Sequence, residues 1–154
     1  MVRPTPKGIQ QTTQQTEQMK KVRNACIIDD DDIFRFIMKK HIINQDLAEN
    51  ILCFENGKEA IKYILDHRLE EDKLPDVMFL DINMPIMDGW DFVSAYNEAK
   101  KKIVKDATIF MISSSVDDRD ISRAKDSEVI TEYVTKPLDK QKIKELMGKL
   151  FVYS

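Results

Sequence analysis

From residue 24 onward, short apolar runs alternate with segments whose apolar residues recur at helical spacing. Most of these runs contain almost no polar residue, which is typical of strands that are covered by helices on both faces. The chain is therefore predicted to form an α/β fold, an open, doubly wound parallel sheet of five strand–helix units with right-handed crossovers. The predicted strands are Ala25–Ile28, Ile51–Phe54, Val77–Leu80, Thr108–Ile112 and Val129–Val134.

The segments between the strands are predicted to be helices, because their apolar residues line one face. The third helix is predicted to run from about Gly89 to Val104 and to end in a run of lysines. The fourth, at about Asp118–Lys125, has only Ile121 and Ala124 as apolar anchors, so we expect it to pack weakly. Candidate N-caps precede three helices and are Asp31 or Asp32, Asn56 and Asp139.

Length and charge narrow the class of protein. The chain has 154 residues and a net charge of −3, which fits one domain and argues against nucleic-acid binding driven by bulk charge. No membrane-spanning run or secretory leader is visible, so we expect a cytoplasmic location and no membrane partner. Residues 1–23 are rich in Gln and Thr and carry an excess of basic residues. They are predicted to be a disordered tail before a domain at 24–154.

The two cysteines and two histidines are too few for a disulfide scaffold, a zinc cluster or a His-rich metal site. Cys26 and Cys53 lie on strands that are predicted to be neighbours. Buried structural thiols are favoured there over a redox pair, because a free cysteine behaves as a small apolar residue. Trp90 and Tyr96 are interpreted as packing residues of the third helix.

Polar residues stand at the carboxyl ends of the predicted strands, where sheets of this kind bind ligands. Asp29 and Asp30 end the first strand, Asp81 the third, Ser113 the fourth, and Lys136 follows the fifth. Crowded carboxylates repel one another unless a cation lies among them, and oxygen ligands with room for water suit Mg²⁺. An aspartate can act as the nucleophile in phosphoryl transfer, with metal and lysine neutralising the transferred oxygens.

This ordered set resembles the receiver domain of two-component response regulators. The resemblance rests on the paired acids at 29–30, the LDxxMPxMDG run at 80–89, the serine at 113 and the Lys-Pro pair at 136–137, and it covers residues 24 to about 152. It implies a flavodoxin-like sheet with strand order 2-1-3-4-5.

The resemblance also implies a role for each polar residue. Asp30 would bind Mg²⁺ directly and Asp29 through water, together with Asp81 and the backbone carbonyl of Asn83. The implied catalytic residues are the phospho-acceptor Asp81, the phosphoryl-contacting Lys136 and Ser113; the implied switch residues are Ser113 and Tyr133, and Pro137 would follow a cis bond.

The function implied by the resemblance is signalling. A histidine kinase or a histidine-phosphotransfer protein would phosphorylate Asp81, and the face of helix four, strand five and helix five would bind a downstream protein. The chain would be no enzyme beyond its own phosphorylation and dephosphorylation. Because few residues follow the last predicted helix, a stand-alone receiver is expected.

Several alternatives remain beside this interpretation. A shuttle that passes phosphate on to a histidine-phosphotransfer protein has the same sequence features as a signalling output. A phosphatase of the haloacid dehalogenase type needs a second aspartate two residues after the nucleophile, where Asn83 stands. Loss of Asp81 or Lys136 would indicate a module that works without phosphate, and both residues are present. Another alternative is that Tyr133 is a packing residue of the core without a switch role.

Overall fold

The computed structural model describes residues 21–151, which form a five-stranded parallel sheet between two layers of helices. The strands are β1 (Val22–Ile28), β2 (Ala48–Phe54), β3 (Val77–Asp81), β4 (Thr108–Ser113) and β5 (Ile130–Thr135). Their spatial order is β2-β1-β3-β4-β5, which confirms the predicted fold class. The helices are α1 (Asp32–Asn44), α2 (Gly57–Asp66), α3 (Gly89–Ala99), α4 (Asp118–Asp126) and α5 (Lys140–Gly148), followed by a 3-10 turn at Lys149–Phe151.

Apolar side chains fill both faces of the sheet. Met38 of α1 and Leu146 of α5 lie in the core on one face, and Ile64 of α2 and Phe92 of α3 lie in the core on the other. Every residue of β3 is buried. Burial on both sides explains why the central strands read as continuous apolar runs in the sequence.

The first strand begins earlier than predicted. Val22 is buried, pairs with Ala48 on β2, and its N–H donates to the Leu47 carbonyl. Residues 22 and 23 of the predicted tail therefore belong to β1, since pairing with β2 extends the ladder beyond the apolar run. The rest of the predicted tail, residues 1–20, lies outside the described residues.

The third helix ends at Ala99, five residues before the predicted end at Val104. The Tyr96 hydroxyl accepts a hydrogen bond from the Ala107 N–H at 2.8 Å, so the chain has to fold back along α3. The Val104 N–H donates to the Arg68 carbonyl, and the Val104 side chain stays exposed. The prediction of a helix as far as Val104 was therefore wrong, because α3 ends before the run of lysines.

The two cysteines lie on neighbouring strands, as predicted, but only the interpretation of Cys26 as a buried thiol is confirmed. Cys53 is exposed, because β2 is an edge strand and Cys53 lies at the margin of α1. Burial raises the pKa of both thiols above the usual range, more strongly for Cys26.

The helix starts are capped as the sequence predicts. Asp31 accepts from the N–H groups of Ile33 and Phe34, and Asn56 and Asp139 cap α2 and α5. Each cap satisfies a backbone donor that has no partner within its helix. Within residues 21–151, no helix combines the length and apolar character needed to cross a bilayer.

Candidate functional site

Three carboxylates meet at the carboxyl ends of β1 and β3. Asp29 follows β1 directly, Asp81 is the last residue of β3, and the register of the two strands brings these ends side by side. One oxygen from each of Asp29, Asp30 and Asp81 lies within 4.8 Å of the others. Asp29 and Asp81 are buried, while Asp30 faces solvent. The structure therefore brings together the three acids that the sequence singled out.

Backbone groups orient the two buried acids. The Asp31 N–H donates to Asp29 Oδ1 at 2.9 Å, and the Asn83 N–H hydrogen-bonds to the Asp81 carboxylate. The base of the site is also tight, because a Cβ on Gly89 would lie 2.8 Å from the Asp81 carbonyl oxygen. Glycine at this position lets α3 start directly beneath the site.

An ammonium group faces the acids from the residue that follows β5. Lys136 Nζ donates to Asp29 Oδ2 at 2.9 Å and lies 3.8 Å from Asp81 Oδ1. The Lys136 N–H donates to the Ser113 carbonyl at 2.7 Å, which fixes the start of this side chain against β4. The Lys136–Pro137 bond is cis, as the resemblance implied.

The electrostatic environment works against a charged Asp81. Burial raises the pKa of Asp81 to about 7, and the neighbouring carboxylates of Asp29 and Asp30 act in the same direction. The Lys136 ammonium and the Asn83 N–H lower the pKa but only partly offset the burial. The Lys136 ammonium therefore balances the carboxylates around Asp81 incompletely, and an added cation would be favoured.

The donor set fits a hard divalent cation. Carboxylate oxygens from Asp29, Asp30 and Asp81 converge without any sulfur or imidazole ligand, and such oxygen sets are what Mg²⁺ prefers. The exposed side of the cluster, at Asp30, leaves access to water, which Mg²⁺ usually retains.

The two residues implied to form the switch are linked through a third. Ser113 is fully buried, and its Oγ accepts from the Ser115 N–H at 3.2 Å. The Tyr133 hydroxyl donates to the Ser115 carbonyl at 2.9 Å. Tyr133 is partly exposed, so it is held by this hydrogen bond at the border of the core and solvent.

Sequence reasoning missed one residue of the site. Phe34 is one of the helically spaced apolar residues of α1, but Lys136 Nζ lies 4.2 Å from the centroid of its ring. The available signal was an aromatic residue within the first turn and a half after the acidic pair. That signal is weak, because only the packing of α1 against the sheet and α5 shows which way the ring faces.

Comparison with known proteins gives the family. The family model of the response regulator receiver domain matches residues 25–147. The chain is 34% identical over 110 residues to the sensor histidine kinase CheAY of Helicobacter pylori, which covers 71% of this chain and 13% of that protein. It is 28% identical over 127 residues to the response regulator protein VraR of Staphylococcus epidermidis, covering 82% and 56% of the two chains. The chain thus spans a small part of some curated relatives.

Solved structures of response regulators are also similar to this chain. A two-component response regulator from Cytophaga hutchinsonii superposes with a TM-score of 0.78 and 28% identity, covering 86% of this chain and 99% of that one. A response regulator receiver protein from Dyadobacter fermentans gives a TM-score of 0.67 and 29% identity, covering 84% and 98%. The chain belongs to the response regulator receiver domain family.

Proposed function

We propose that this chain accepts a phosphoryl group on Asp81 from a phosphohistidine of a histidine kinase or histidine-phosphotransfer protein. The observation that carries the proposal is the convergence of three carboxylates and the Lys136 ammonium at one sheet edge. Structural salt bridges pair opposite charges, whereas this site collects more acids than one lysine can balance. Such an excess of acid is suited to a metal ion, whose charge would in turn balance a transferred phosphoryl group.

The transfer requires one bond to form and one to break. An Asp81 carboxylate oxygen attacks the phosphorus, and the P–N bond to the donor imidazole breaks with its electron pair staying on nitrogen. Burial and the neighbouring acids destabilise the Asp81 carboxylate, and this destabilisation is relieved as its charge spreads onto the phosphoryl group in the transition state. Lys136 lies close enough to Asp81 to contact the new phosphoryl oxygens.

Mg²⁺ would be held by Asp30, Asp81 and the Asn83 carbonyl, with Asp29 beside them. When bound, it supplies positive charge that offsets the repulsion among the acids and the phosphoryl oxygens. Asp29 meanwhile keeps Lys136 next to the site through its 2.9 Å contact.

Phosphorylation of Asp81 would change the protein surface through Ser113 and Tyr133. A hydroxyl that turns toward a phosphoryl group on Asp81 gives up its contact with Ser115, and Ser115 is the group that holds the Tyr133 hydroxyl. Tyr133 also lines a groove of about 310 Å³ between α4 and β5. Movement of Tyr133 would therefore change the face of α4, β5 and α5, which we propose as the binding site for a downstream protein.

The surface beside the acids suits the protein donor. Ile33, Phe36 and Ile37 of α1 expose 68%, 66% and 44% of their surface, and they begin immediately after the Asp31 cap. A donor whose phosphohistidine reaches Asp81 has to cover this stripe, so we propose that it presents an apolar helix face there. Phe36→Asp should lower transfer from a phosphorylated histidine-phosphotransfer protein more than uptake from acetyl phosphate.

Intact mass spectrometry after incubation with acetyl phosphate tests the acceptor. We expect one phosphoryl adduct on the wild-type chain with Mg²⁺, and none with chelator or in Asp81→Asn. Lys136→Met should slow adduct formation at least tenfold, because a close positive charge is lost. An adduct that persists in Asp81→Asn would show that another residue is the acceptor.

Incubating the phosphorylated chain with an unphosphorylated histidine-phosphotransfer protein then separates a relay from an output. Rapid loss of the adduct with its appearance on the second protein would establish the shuttle. Retention of the adduct would favour a signalling output through the α4, β5 and α5 face.

A further inference from the structure

The Lys136 ammonium lies against an aromatic ring as well as against the acids. Its Nζ is 2.9 Å from Asp29 Oδ2, 3.8 Å from Asp81 Oδ1 and 4.2 Å from the centroid of the Phe34 ring. Phe34 lies in the first turn of α1 and packs at the margin of the core that α1 and α5 share. The ring thus forms the apolar side of the space in which the ammonium sits.

A ring face and a carboxylate hold an ammonium group in different ways. The ring attracts a cation through its quadrupole, with no hydrogen bond that must break when the cation moves. Asp29 instead fixes the ammonium by a direct hydrogen bond. The side chain of Lys136 is 19% exposed, so water replaces few of these contacts.

We infer that Phe34 is a positioning residue, whose ring face keeps the Lys136 ammonium beside Asp81 while the ammonium passes from Asp29 to the phosphoryl oxygens. The inference rests on the proposed role of Asp81 as acceptor. In the transfer itself an Asp81 oxygen bonds to phosphorus as the donor bond breaks, and Lys136 keeps its protons and contributes charge. Phe34 acts on the reaction through Lys136 alone.

Substitution at position 34 separates ring electronics from side-chain volume. Phe34→Leu keeps an apolar side chain without a ring face, and Phe34→Tyr keeps the ring face. At saturating Mg²⁺ and varied acetyl phosphate, we expect Phe34→Leu to lower the maximal phosphorylation rate about threefold to tenfold, the range of a partly desolvated cation–π contact. We expect Phe34→Tyr to stay within about twofold of wild type on the same grounds.

Two controls isolate the contact. Phe151→Leu removes a phenyl group that packs at the margin of the same core, and Phe151 has no part in the site. We expect its phosphorylation rate to match wild type. In a Lys136→Met background, Phe34→Leu should cause no further loss, because residues that act through one contact are not additive. Full additivity of the two losses would overturn the inference.

Proton NMR of the Lys136 ε-methylene group tests the contact without phosphorylation. Ring current should shift these protons upfield in wild type and in Phe34→Tyr, and the shift should vanish in Phe34→Leu. Equal rates for Phe34→Leu and wild type, or equal losses in Phe34→Leu and Phe34→Tyr, would overturn the inference. If wild type takes no phosphoryl group, the proposed function fails. An unchanged Lys136 resonance in Phe34→Leu would then overturn the contact as well.

Discussion

Helices α3 and α4 both follow strands that end in the site, but they are attached to the domain in different ways. α3 starts after Asp81 and buries six residues, including Phe92 and Tyr96, at 0% and 1% exposure. α4 starts after Ser113 and buries Ala124, while Ile121 stays partly exposed. Asp81, the proposed phospho-acceptor, therefore lies on a densely packed base, and Ser113, the proposed switch residue, precedes a thinly packed helix.

Polar contacts supply part of what α4 lacks in apolar burial. The Trp90 Nε1–H donates to Asp120 at 3.0 Å, and the Arg123 guanidinium lies 4.2 Å from the centroid of the Trp90 ring. Trp90 belongs to the first turn of α3, so α4 is tied to the rigid helix. Contacts of this kind contribute about 1 kcal/mol each, less than burial of a large side chain. α4 can therefore shift at low cost while α3 keeps Asp81 in place.

The largest expected effect comes from emptying the α3 core. Phe92→Ala should lower the free energy of unfolding by about 3–5 kcal/mol, because the buried ring leaves a cavity between α3 and the sheet. Urea denaturation followed by circular dichroism measures this. Ile121→Ala on α4 is the matched truncation and should cost less than half as much. Equal losses would show that α4 is packed as firmly as α3.

A single added methyl group tests the close approach of α3 to Asp81. Gly89→Ala would place a Cβ 2.8 Å from both the Asp81 carbonyl oxygen and the Ile82 Cα, and backbone atoms have to shift to admit it. We expect a loss of about 1–3 kcal/mol in unfolding free energy. Gly148→Ala on α5 is the control, since its added Cβ meets no atom within 4 Å. A loss in Gly148→Ala as large as in Gly89→Ala would contradict this explanation.

Loss of the hydrogen bond between Trp90 and α4 should have the smallest effect on the free energy of unfolding. Asp120→Ala removes the acceptor of the Trp90 indole and should cost about 1 kcal/mol in unfolding free energy. Trp90 is the single tryptophan, so its fluorescence should change too, and amide exchange should accelerate in α4 more than in α3. Asp118→Ala is the matched control, because it removes an exposed acid from the same first turn. Fluorescence and exchange that change equally in both variants would argue against the contact.

The fold could be predicted from the sequence because the patterns that indicate it involve residues close together in the chain. Apolar runs such as Val77–Leu80 indicate buried strands without reference to distant residues, and the caps at Asp31, Asn56 and Asp139 depend on residues two or three positions away. The end of α3 could not be predicted from such local patterns. It depends on the hydrogen bond between the Ala107 N–H and the Tyr96 hydroxyl, which the spacing of apolar residues does not encode.

Much of the candidate site was also predictable, for a related reason. The carboxyl ends of parallel strands lie at the same edge of the sheet. The residues that follow the strands are therefore expected to lie together at that edge. The three acids and Lys136 were found by that argument. The Phe34 contact was not, because the direction of a helical side chain depends on how α1 is rotated against the sheet.

The sequence by itself determined the order of elements, the strands buried on both faces and the acidic edge, since each follows from patterns that neighbouring residues carry. Only the tertiary structure decided the exposure of Cys53, the link from Ser113 through Ser115 to Tyr133, and the place of Phe34 beside Lys136. Those features depend on distances of a few ångströms between elements far apart in the chain. Packing of whole helices against the sheet sets these distances.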